Sequence, residues 1–458
     1  MRRRRWWCDR AWMGAESTAQ RSGNGADRDT GPADEALSGV LITTDQGRIT
    51  DIDVGVGCPD EAERLEGLTM PALANGHSHA FQRAMRGRTQ SGRGSFWTWR
   101  DSMYDVAKGL DPDSYHHLAT AVYSEMALAG IGAVGEFHYV HHRAGGILYD
   151  NPNAMAEALV SAAADVGIRI TMLDTLYLHG GLDRSGYFPL RPEQERFSDR
   201  TAANWVRRRH QWDVPDHRLV RLGAAAHSIR AVDPHAMMEV QGWALEHDAP
   251  LHIHVSEQPD ENKACVDFHR ATPVEVLQAH ELLAPNVTVV HGTHLTGSDV
   301  ATLGDHGITC CFCPTTERDL ADGIGPSAEL LEAGAHICFG SDSHAVIDLF
   351  EEARALELNE RLSTLRRGNH RVSDLLVMAT SVGYRSLGWP DGGRLEVGGL
   401  ADFITVDLAS VRTAGTPPGP EIVFSAAPAD VTNVVVDGET IVSPSTRPKV
   451  DWAAAYNV

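Results

Sequence analysis

Lysine is the rarest charged residue in this chain of 458 residues: it occurs only at positions 108, 263 and 449, and arginine supplies almost all of the positive charge. The formal net charge of −22 argues against nucleic acid or an anionic membrane surface as a partner. No apolar run approaches the length of a membrane-spanning helix. The N-terminus has the basic start of a signal peptide but lacks its continuous apolar core and cleavage site, so we predict a cytoplasmic protein.

Cysteine is also sparse, and its spacing suggests no disulfide framework. The seven cysteines are an odd number, which favours a reducing compartment. The C-x-x-C within residues 310–313 lacks a second pair to complete a zinc site and lies in an apolar run, so we predict small core residues there. No G-x-G-x-x-G follows the first predicted strand, which leaves a dinucleotide-binding, doubly wound sheet as the second choice of fold.

Short apolar segments alternate with helical patterns between about residues 66 and 390. Eight such units predict an α/β protein with a (β/α)8 barrel of the TIM type. The predicted strands are 67–76, 133–139, 168–177, 219–227, 250–257, 286–292, 307–313 and 335–342, and the clearest helical patterns are 114–131, 153–167 and 234–248.

The two flanks of this region have a different pattern, in which apolar and polar residues alternate between tight turns. Such segments predict short, half-buried strands, and we expect both flanks to meet in one small β-sandwich domain. The predicted division is therefore residues 1–68 for the first part of the small domain, 69–390 for the catalytic barrel and 391–458 for the second part. The polar stretch 14–36 predicts a mobile loop.

Polar residues follow most of the predicted strands, at the end of a barrel where catalytic residues lie. Histidines occur at five of the eight strand ends and an aspartate at another, which is difficult to attribute to chance even in a chain with 23 histidines. These residues are His77 and His79 on the first strand, His138 on the second, His227 on the fourth, His254 on the fifth, His291 on the sixth and Asp342 on the eighth.

His77 and His79 point to the same side of a strand, because side chains alternate with a period of two. A catalytic Zn²⁺ site needs three or four nitrogen and oxygen ligands and an open position for water. His254 and Asp342 are the natural further ligands. His252 lies on the opposite face of the fifth strand, and we choose His254 because it is nearer the strand end. The alternative is that His77 and His79 are hydrogen-bonded core histidines.

Eight motifs occur in an order that resembles a known family. They are GHSHAFQRAMRG, SFWTWRDSMY, GEFHYVHH, HSIR, HIHVSEQ, VHGTHL, CPTTERDLADGI and GSDSH. From about residue 40 to its end the chain resembles the amidohydrolase superfamily and, within it, the formimidoylglutamate deiminases of histidine degradation. The first 35 residues depart from the pattern, apart from RWWCDRAWM, which is similar to the family's first strand.

The resemblance implies a metal-dependent hydrolase that acts on a linear amidine and forms a homodimer. Binuclear members of the superfamily bridge two metals with a carboxylated lysine on the fourth strand, and no lysine lies there in this chain. We therefore expect one divalent ion per chain, Zn²⁺ first and Fe²⁺ as an alternative, held by His77, His79, His254 and Asp342.

The resemblance also implies the reaction, in which N-formimidoyl-L-glutamate and water give N-formyl-L-glutamate and ammonia. Asp342 would accept the proton of the attacking water, and Glu257 would carry a proton to the imino nitrogen. His291 would orient the attacking oxygen and stabilise the tetrahedral intermediate.

Arginines are expected to hold the two carboxylates of this small anionic substrate. By the resemblance, Arg230 with Gln82 and Tyr139 binds the α-carboxylate, Arg100 binds the side-chain carboxylate, and His227 supports the same region. For Arg83 and Arg318, substrate binding and ordinary surface ion pairs are equally good interpretations. The aromatic residues Phe96, Trp97 and Trp99 are expected to pack the loop after the first strand rather than contact the substrate.

Two other functions remain open from the sequence. A zinc aminohydrolase that acts on a purine, pterin or related ring, similar to a guanine deaminase, would share the metal site but would need a flat apolar pocket. A catalytically silent scaffold would have lost metal ligands, whereas all the candidate ligands are present here.

Overall fold

The structure is a computed structural model that describes residues 3–14, 35–90, 94, 96–212, 214 and 218–456. The mobile loop predicted at 14–36 lies, apart from its end residues, outside the described residues.

Strands and helices alternate along most of the described chain. The strands are β1 (Arg4–Ala11), β2 (Leu37–Asp45), β3 (Arg48–Asp53), β4 (Glu63–Pro71), β5 (Leu73–Ser78), β6 (Ile131–His138), β7 (Arg169–Leu176), β8 (Gly181–Asp183), β9 (Gly186–Phe188), β10 (Val220–Ser228), β11 (Leu251–Val255), β12 (Val287–His291), β13 (Thr309–Phe312), β14 (His336–Phe339), β15 (Phe403–Val406), β16 (Val431–Val436) and β17 (Glu439–Val442). The α-helices are α1 (Phe96–Gly109), α2 (Pro112–Leu128), α3 (Ala154–Val166), α4 (Ala202–His210), α5 (Pro234–Glu246), α6 (Pro259–His269), α7 (Pro273–Ala279), α8 (Gly297–Asp305), α9 (Pro314–Asp319), α10 (Ser327–Ala333), α11 (Leu349–Thr364), α12 (Val372–Val377), α13 (Gly383–Ser386) and α14 (Trp452–Ala455).

Eight of these strands form the barrel, in the order β5-β6-β7-β10-β11-β12-β13-β14, with every neighbouring pair parallel. A parallel bridge between Ser78 and Asp342 joins the last strand to the first. Most residues of these strands are buried, as expected for parallel strands covered on both faces. The predicted barrel is confirmed.

Helices α2 and α5, which surround the barrel, each begin with an aspartate N-cap. Asp111 accepts a hydrogen bond from the backbone N–H of Ser114 at 2.8 Å, and Asp233 accepts one from that of Ala236 at 3.1 Å. Proline follows each aspartate at the first helical position. These caps satisfy backbone donors that a helix leaves free at its N-terminus.

The termini meet in a second sheet of the described residues, in the order β17-β16-β15-β4-β1-β2-β3. Only the β1–β4 pair is parallel. This confirms the small β-domain that both termini share, and its strands form a single seven-stranded sheet. One side of the sheet buries its own apolar cluster, which includes Trp6, Val40, Leu65, Phe403 and Val435.

The predicted strand 67–76 is wrong in one respect, because it is two strands in two different sheets. β4 pairs with β1 and β15 and ends at Pro71, which has no N–H to donate. The N–H of Ala72 then donates to Asp402 O at 3.1 Å, and that of Leu73 donates to Gly130 O at 3.0 Å at the start of the barrel. Apart from Pro71, no local pattern marks this change of partner. The predicted boundaries at 68/69 and 390/391 stay predictions.

The cysteines of the 310–313 segment are core residues, as predicted. Cys310, Cys311 and Cys313 are buried, and so is Cys338 on the neighbouring strand; all four are free thiols. In the described part of the chain, no helix is both long and apolar enough to cross a membrane.

Arg169 joins the barrel to the terminal sheet. It lies at the start of β7, and its Nε and Nη2 contact the two carboxylate oxygens of Asp402 at 2.6 and 3.0 Å. Nη2 also lies 3.3 Å from Asp437. Since Arg169 and Asp402 are both buried, losing one partner would leave the other as an isolated buried charge.

We therefore expect Arg169→Met to lower the free energy of unfolding by about 3–5 kcal/mol, the usual cost of breaking a buried pair. The matched control is Arg48→Met, which removes an exposed pair with Asp391 and should cost no more than about 1 kcal/mol. Urea unfolding followed by circular dichroism measures both. Equal effects for the two variants would contradict this account of how the two sheets are joined.

Candidate active site

The four predicted metal ligands meet at the C-terminal end of the barrel. His77 Nε2 lies 3.0 Å from His254 Nε2 and 3.3 Å from Asp342 Oδ1, and His79 Nε2 lies 3.4 Å from the same oxygen. All four side chains are buried. His252, on the opposite face of β11, instead donates from Nε2 to Ser386 O at 2.9 Å.

Backbone carbonyls fix which nitrogen of two histidines faces the cluster. A carbonyl can only accept, so Nδ1–H of His79 donates to Phe137 O at 2.9 Å and Nδ1–H of His254 donates to His227 O at 3.0 Å. Each Nε2 is then left with its lone pair toward the other ligands. Burial lowers the pKa of His79 to about 3 and holds those of His77 and His254 well below their ordinary value.

Neutral imidazole nitrogens and a carboxylate oxygen that lie within one small volume can together bind a divalent cation. Ligand atoms of His77, His79 and His254 lie within 4.8 Å of one another, and so do those of His77, His291 and Asp342. The residues present therefore fit the metal that the sequence predicts.

Closure of the barrel sets this geometry. The N–H of Asp342 donates to His77 O at 3.0 Å, and the N–H of His79 donates to Asp342 O at 3.1 Å. Gly340 permits the approach, because a Cβ at this position would lie 2.6 Å from His77 Cβ. Asp342 and His291 both have positive φ angles, 44° and 72°, which are uncommon outside glycine and are found at functional sites.

His291 lies between two carboxylates that the sequence assigns to catalysis. Its Nε2 is 3.9 Å from Glu257 Oε1 and 4.0 Å from Asp342 Oδ2, while its Nδ1 is 3.4 Å from Glu317 Oε1. Burial opposes the charged ring, but the hydrogen bond with Glu317 and the nearby carboxylates outweigh it and raise the pKa of His291 to about 10. Glu317 was not predicted as a site residue, although it lies in the CPTTERDLADGI motif.

A cavity of about 430 Å³ opens beside this cluster and is lined by all the predicted substrate-binding residues. They are Gln82, Arg100, Tyr139, His227 and Arg230. Gln82 Nε2 donates to the hydroxyl of Tyr139 at 3.0 Å, and the guanidinium of Arg100 lies 4.4 Å from the ring centre of Trp97.

Arg230 is engaged in contacts that the sequence did not predict. Its Nη2 lies 2.8 Å from Glu257 Oε2, and its Nε lies 3.6 Å from Glu261 Oε2. Burial opposes the charge, but these carboxylates raise the pKa of Arg230 above its ordinary value. The proposed proton carrier and the proposed carboxylate receptor thus form a partly buried ion pair.

The aromatic residues of α1 form part of the cavity wall. Phe96, Trp97 and Trp99 line the cavity together with Tyr104. Their position depends on how α1 packs over the barrel, which their local pattern does not reveal. The β8–β9 hairpin adds Leu182 and Phe188 to the same wall.

Arg83 and Arg318 make ordinary ion pairs. Arg83 is buried, pairs with Glu125 and donates to His344 O, while Arg318 pairs with Glu351 at 2.9 Å near the surface. His138 is buried beside His141, with ring centres 4.9 Å apart. The structure thus places these three residues away from the cavity lining.

A family comparison agrees with this geometry. The amidohydrolase family model matches residues 68–441. The chain belongs to the amidohydrolase family. Its members are metal-dependent hydrolases, and the three histidines and the aspartate form the group that could hold the ion here.

Individual amidohydrolases are similar over most of the chain. A formimidoylglutamate deiminase from Pseudomonas aeruginosa is 36% identical over 361 residues, which are 76% of this chain and 78% of the relative. The crystal structure of an amidohydrolase from Brucella melitensis has a TM-score of 0.85 and 28% identity, over 99% of this chain and 98% of that one. An adenosine deaminase from Xanthomonas campestris with bound zinc shares the fold, with a TM-score of 0.79 and 20% identity over 98% and 95% of the two chains.

The two histidines of β11 provide a matched test of the metal site. Loss of a residue that only hydrogen-bonds a metal ligand lowers metal affinity roughly 10- to 100-fold. We expect His254→Asn to lower it by more, because this change removes a ligand itself. His252→Asn alters the other face of the same strand and should keep the metal. Metal analysis after dialysis, with circular dichroism to check folding, measures both variants. Retention of metal by a folded His254→Asn protein would remove His254 from the ligand set.

Proposed function

We propose that this protein hydrolyses N-formimidoyl-L-glutamate to N-formyl-L-glutamate and ammonia, as a metal-dependent deiminase of histidine degradation. One observation carries the proposal: a single cavity joins the histidine–aspartate cluster to arginines, among them Arg100 and Arg230. The identity to a formimidoylglutamate deiminase over three quarters of the chain supports the same substrate.

The metal that suits the cluster is Zn²⁺, with Fe²⁺ as the alternative. Three imidazole nitrogens and one carboxylate oxygen are ligands that both ions accept. When bound, such an ion lowers the pKa of a water molecule to about 7 and so supplies a nucleophile at neutral pH.

The side chains around the cluster are suited to the proton transfers. Asp342 accepts a proton from the attacking water as a C–O bond forms at the imino carbon. Glu257 delivers a proton to the nitrogen, which becomes the amino group of a tetrahedral intermediate. Asp342 passes the proton of the water to this amino group, Glu257 takes back the hydroxyl proton, and the C–N bond breaks to give ammonia and the carbonyl. His291 lies between these two carboxylates, so its ring is placed to stabilise negative charge on the attacking oxygen.

Two arginines in a protein of net charge −22 allow a small dianion to bind. A guanidinium binds a carboxylate through two parallel hydrogen bonds, which fixes orientation as well as affinity. We assign the α-carboxylate to Arg230, Gln82 and Tyr139, and the side-chain carboxylate to Arg100, with His227 beside them. A cytoplasmic homodimer that binds neither nucleic acid nor membrane belongs to the same proposal and rests on the sequence and its resemblance.

Ammonia release separates the proposed reaction from ring deamination. We expect the metal-loaded protein to release ammonia from N-formimidoyl-L-glutamate and to turn over guanine and adenosine at least about 10³-fold less efficiently, since neither ring offers carboxylates to the two arginines. A coupled ammonia assay measures kcat/KM for the three compounds. A purine that is turned over faster would establish the ring aminohydrolase instead, and inactivity toward all three with no bound metal would favour a silent scaffold.

Arg100→Met tests the side-chain carboxylate site. Losing a charge-assisted hydrogen bond costs about 1.5–3 kcal/mol, so kcat/KM for N-formimidoyl-L-glutamate should fall roughly 10- to 100-fold. Metal content should stay unchanged, because Arg100 lies on α1 and is not among the ligands. The matched control is Arg143→Met, since Arg143 also lies 4.4 Å from an aromatic ring, that of Tyr149, but outside the cavity lining. Loss of metal in Arg100→Met would show that its assigned role is wrong.

A further inference from the structure

We propose that Arg230 exchanges carboxylates when the substrate binds: in the free enzyme it holds Glu257, and the α-carboxylate of the substrate takes the place of Glu257. This inference rests on the proposed function, which supplies the incoming carboxylate. The exchange would release Glu257 for proton transfer only when a ligand with a correctly placed carboxylate is present, and so would make this ion pair a determinant of specificity.

The contacts of Arg230 divide into one that can be replaced and one that stays. Glu257 meets Arg230 through one oxygen and one terminal nitrogen, at 2.8 Å. Glu261 lies farther away, 3.6 Å from Nε. A guanidinium has five N–H donors, and a bidentate carboxylate would use two of them in parallel. A substrate carboxylate can therefore make a better contact than the single hydrogen bond of Glu257.

Glu261 keeps its own place during such an exchange. It lies in the first turn of α6, its side chain is fully buried, and its Oε2 accepts the backbone N–H of Glu257 at 3.2 Å. Because Glu261 balances the charge of Arg230, the arginine does not need Glu257 as a permanent partner. Arg230 also lies against the cavity wall, with its guanidinium 5.7 Å from the ring centre of Phe96.

Glu257 lies close enough to the ligand cluster to transfer a proton there once Arg230 releases it. Its Oε2 is held by Arg230, while its Oε1 lies 3.9 Å from His291 Nε2, at the edge of the ligand cluster. Both Glu257 and Arg230 line the cavity, so the substrate can reach them. An amidine without a carboxylate would enter the same cavity but leave Glu257 bound to Arg230.

Binding of the product to the metal-loaded protein tests the exchange. We expect Glu257→Gln to bind N-formyl-L-glutamate about tenfold more tightly in isothermal titration calorimetry, because the ligand no longer competes with Glu257 for Arg230. Glu257→Asp keeps the charge but shortens the side chain by one methylene, and its loss of the Arg230 contact should also tighten binding. When Arg230→Gln is also present, Glu257→Gln should tighten binding of N-formyl-L-glutamate no more than a control that removes one negative charge elsewhere in the cavity.

The charge control is Asp260→Asn, since Asp260 lies in the first turn of α6 and also lines the cavity. If Glu257→Gln tightens binding no more than Asp260→Asn does, or if Glu257→Asp binds like the unchanged protein, the effect is one of overall charge and the exchange is wrong. Weaker binding in Glu257→Gln would overturn it as well. Thermal unfolding checks that each variant is folded.

Failure of the proposed function would look different. In that case the unchanged protein would neither release ammonia from N-formimidoyl-L-glutamate nor bind N-formyl-L-glutamate. If the unchanged protein does both and the double variant shows no coupling between Arg230 and Glu257, only the exchange fails.

Discussion

Two backbone hydrogen bonds between the ends of the first and last strands of the barrel bring the candidate metal ligands together. Asp342 N–H binds His77 O at 3.0 Å, and His79 N–H binds Asp342 O at 3.1 Å. These residues are far apart in the sequence, so three of the four ligands meet only when the barrel closes. Gly340 leaves the space for this contact, since any larger residue would collide with His77. The geometry of the candidate metal site therefore depends on barrel closure.

A chain of buried hydrogen bonds also links the first strand of the barrel to the segment after the last one. Asn75 Nδ2 donates to Ser341 Oγ at 2.6 Å, Ser341 Oγ donates to His344 Nδ1 at 2.9 Å, and His344 Nε2 donates to Ser78 Oγ at 3.0 Å. Ser78 then donates to Glu136 at 2.6 Å. Because Ser78 donates its hydrogen to Glu136, it must accept one from His344, so His344 carries its proton on Nε2 and accepts at Nδ1. The hydrogen bonds thus form one connected network.

The sequence predicted what depends on local pattern and missed what depends on distant partners. The barrel strands could be located because strands buried on both faces are continuous apolar runs, and the His77/His79 pair because a strand alternates its side chains. The passage from β4 to β5 was missed because one apolar run serves two sheets. The contact between Arg230 and Glu257 was missed for a related reason, since it joins loops after β10 and β11 whose side chains meet only in the folded barrel.

Arg100 and Arg230, the cavity arginines assigned to the proposed substrate, differ in a way that matters for a dianionic ligand. Among the described residues, Arg100 Nε is buried without a hydrogen-bond partner, and its guanidinium is held by the face of Trp97 rather than by a carboxylate. Arg230 Nε also lacks a hydrogen-bond partner among these residues, but its Nη2 donates to Glu257 at 2.8 Å and Glu261 lies 3.6 Å from Nε. A cation–π contact leaves the N–H donors of a guanidinium free in the plane of the guanidinium, whereas an ion pair occupies some of these donors. In the proposed function, Arg100 would therefore offer the first carboxylate an open site, and only a ligand long enough to reach Arg230 from there would encounter the Glu257 pair.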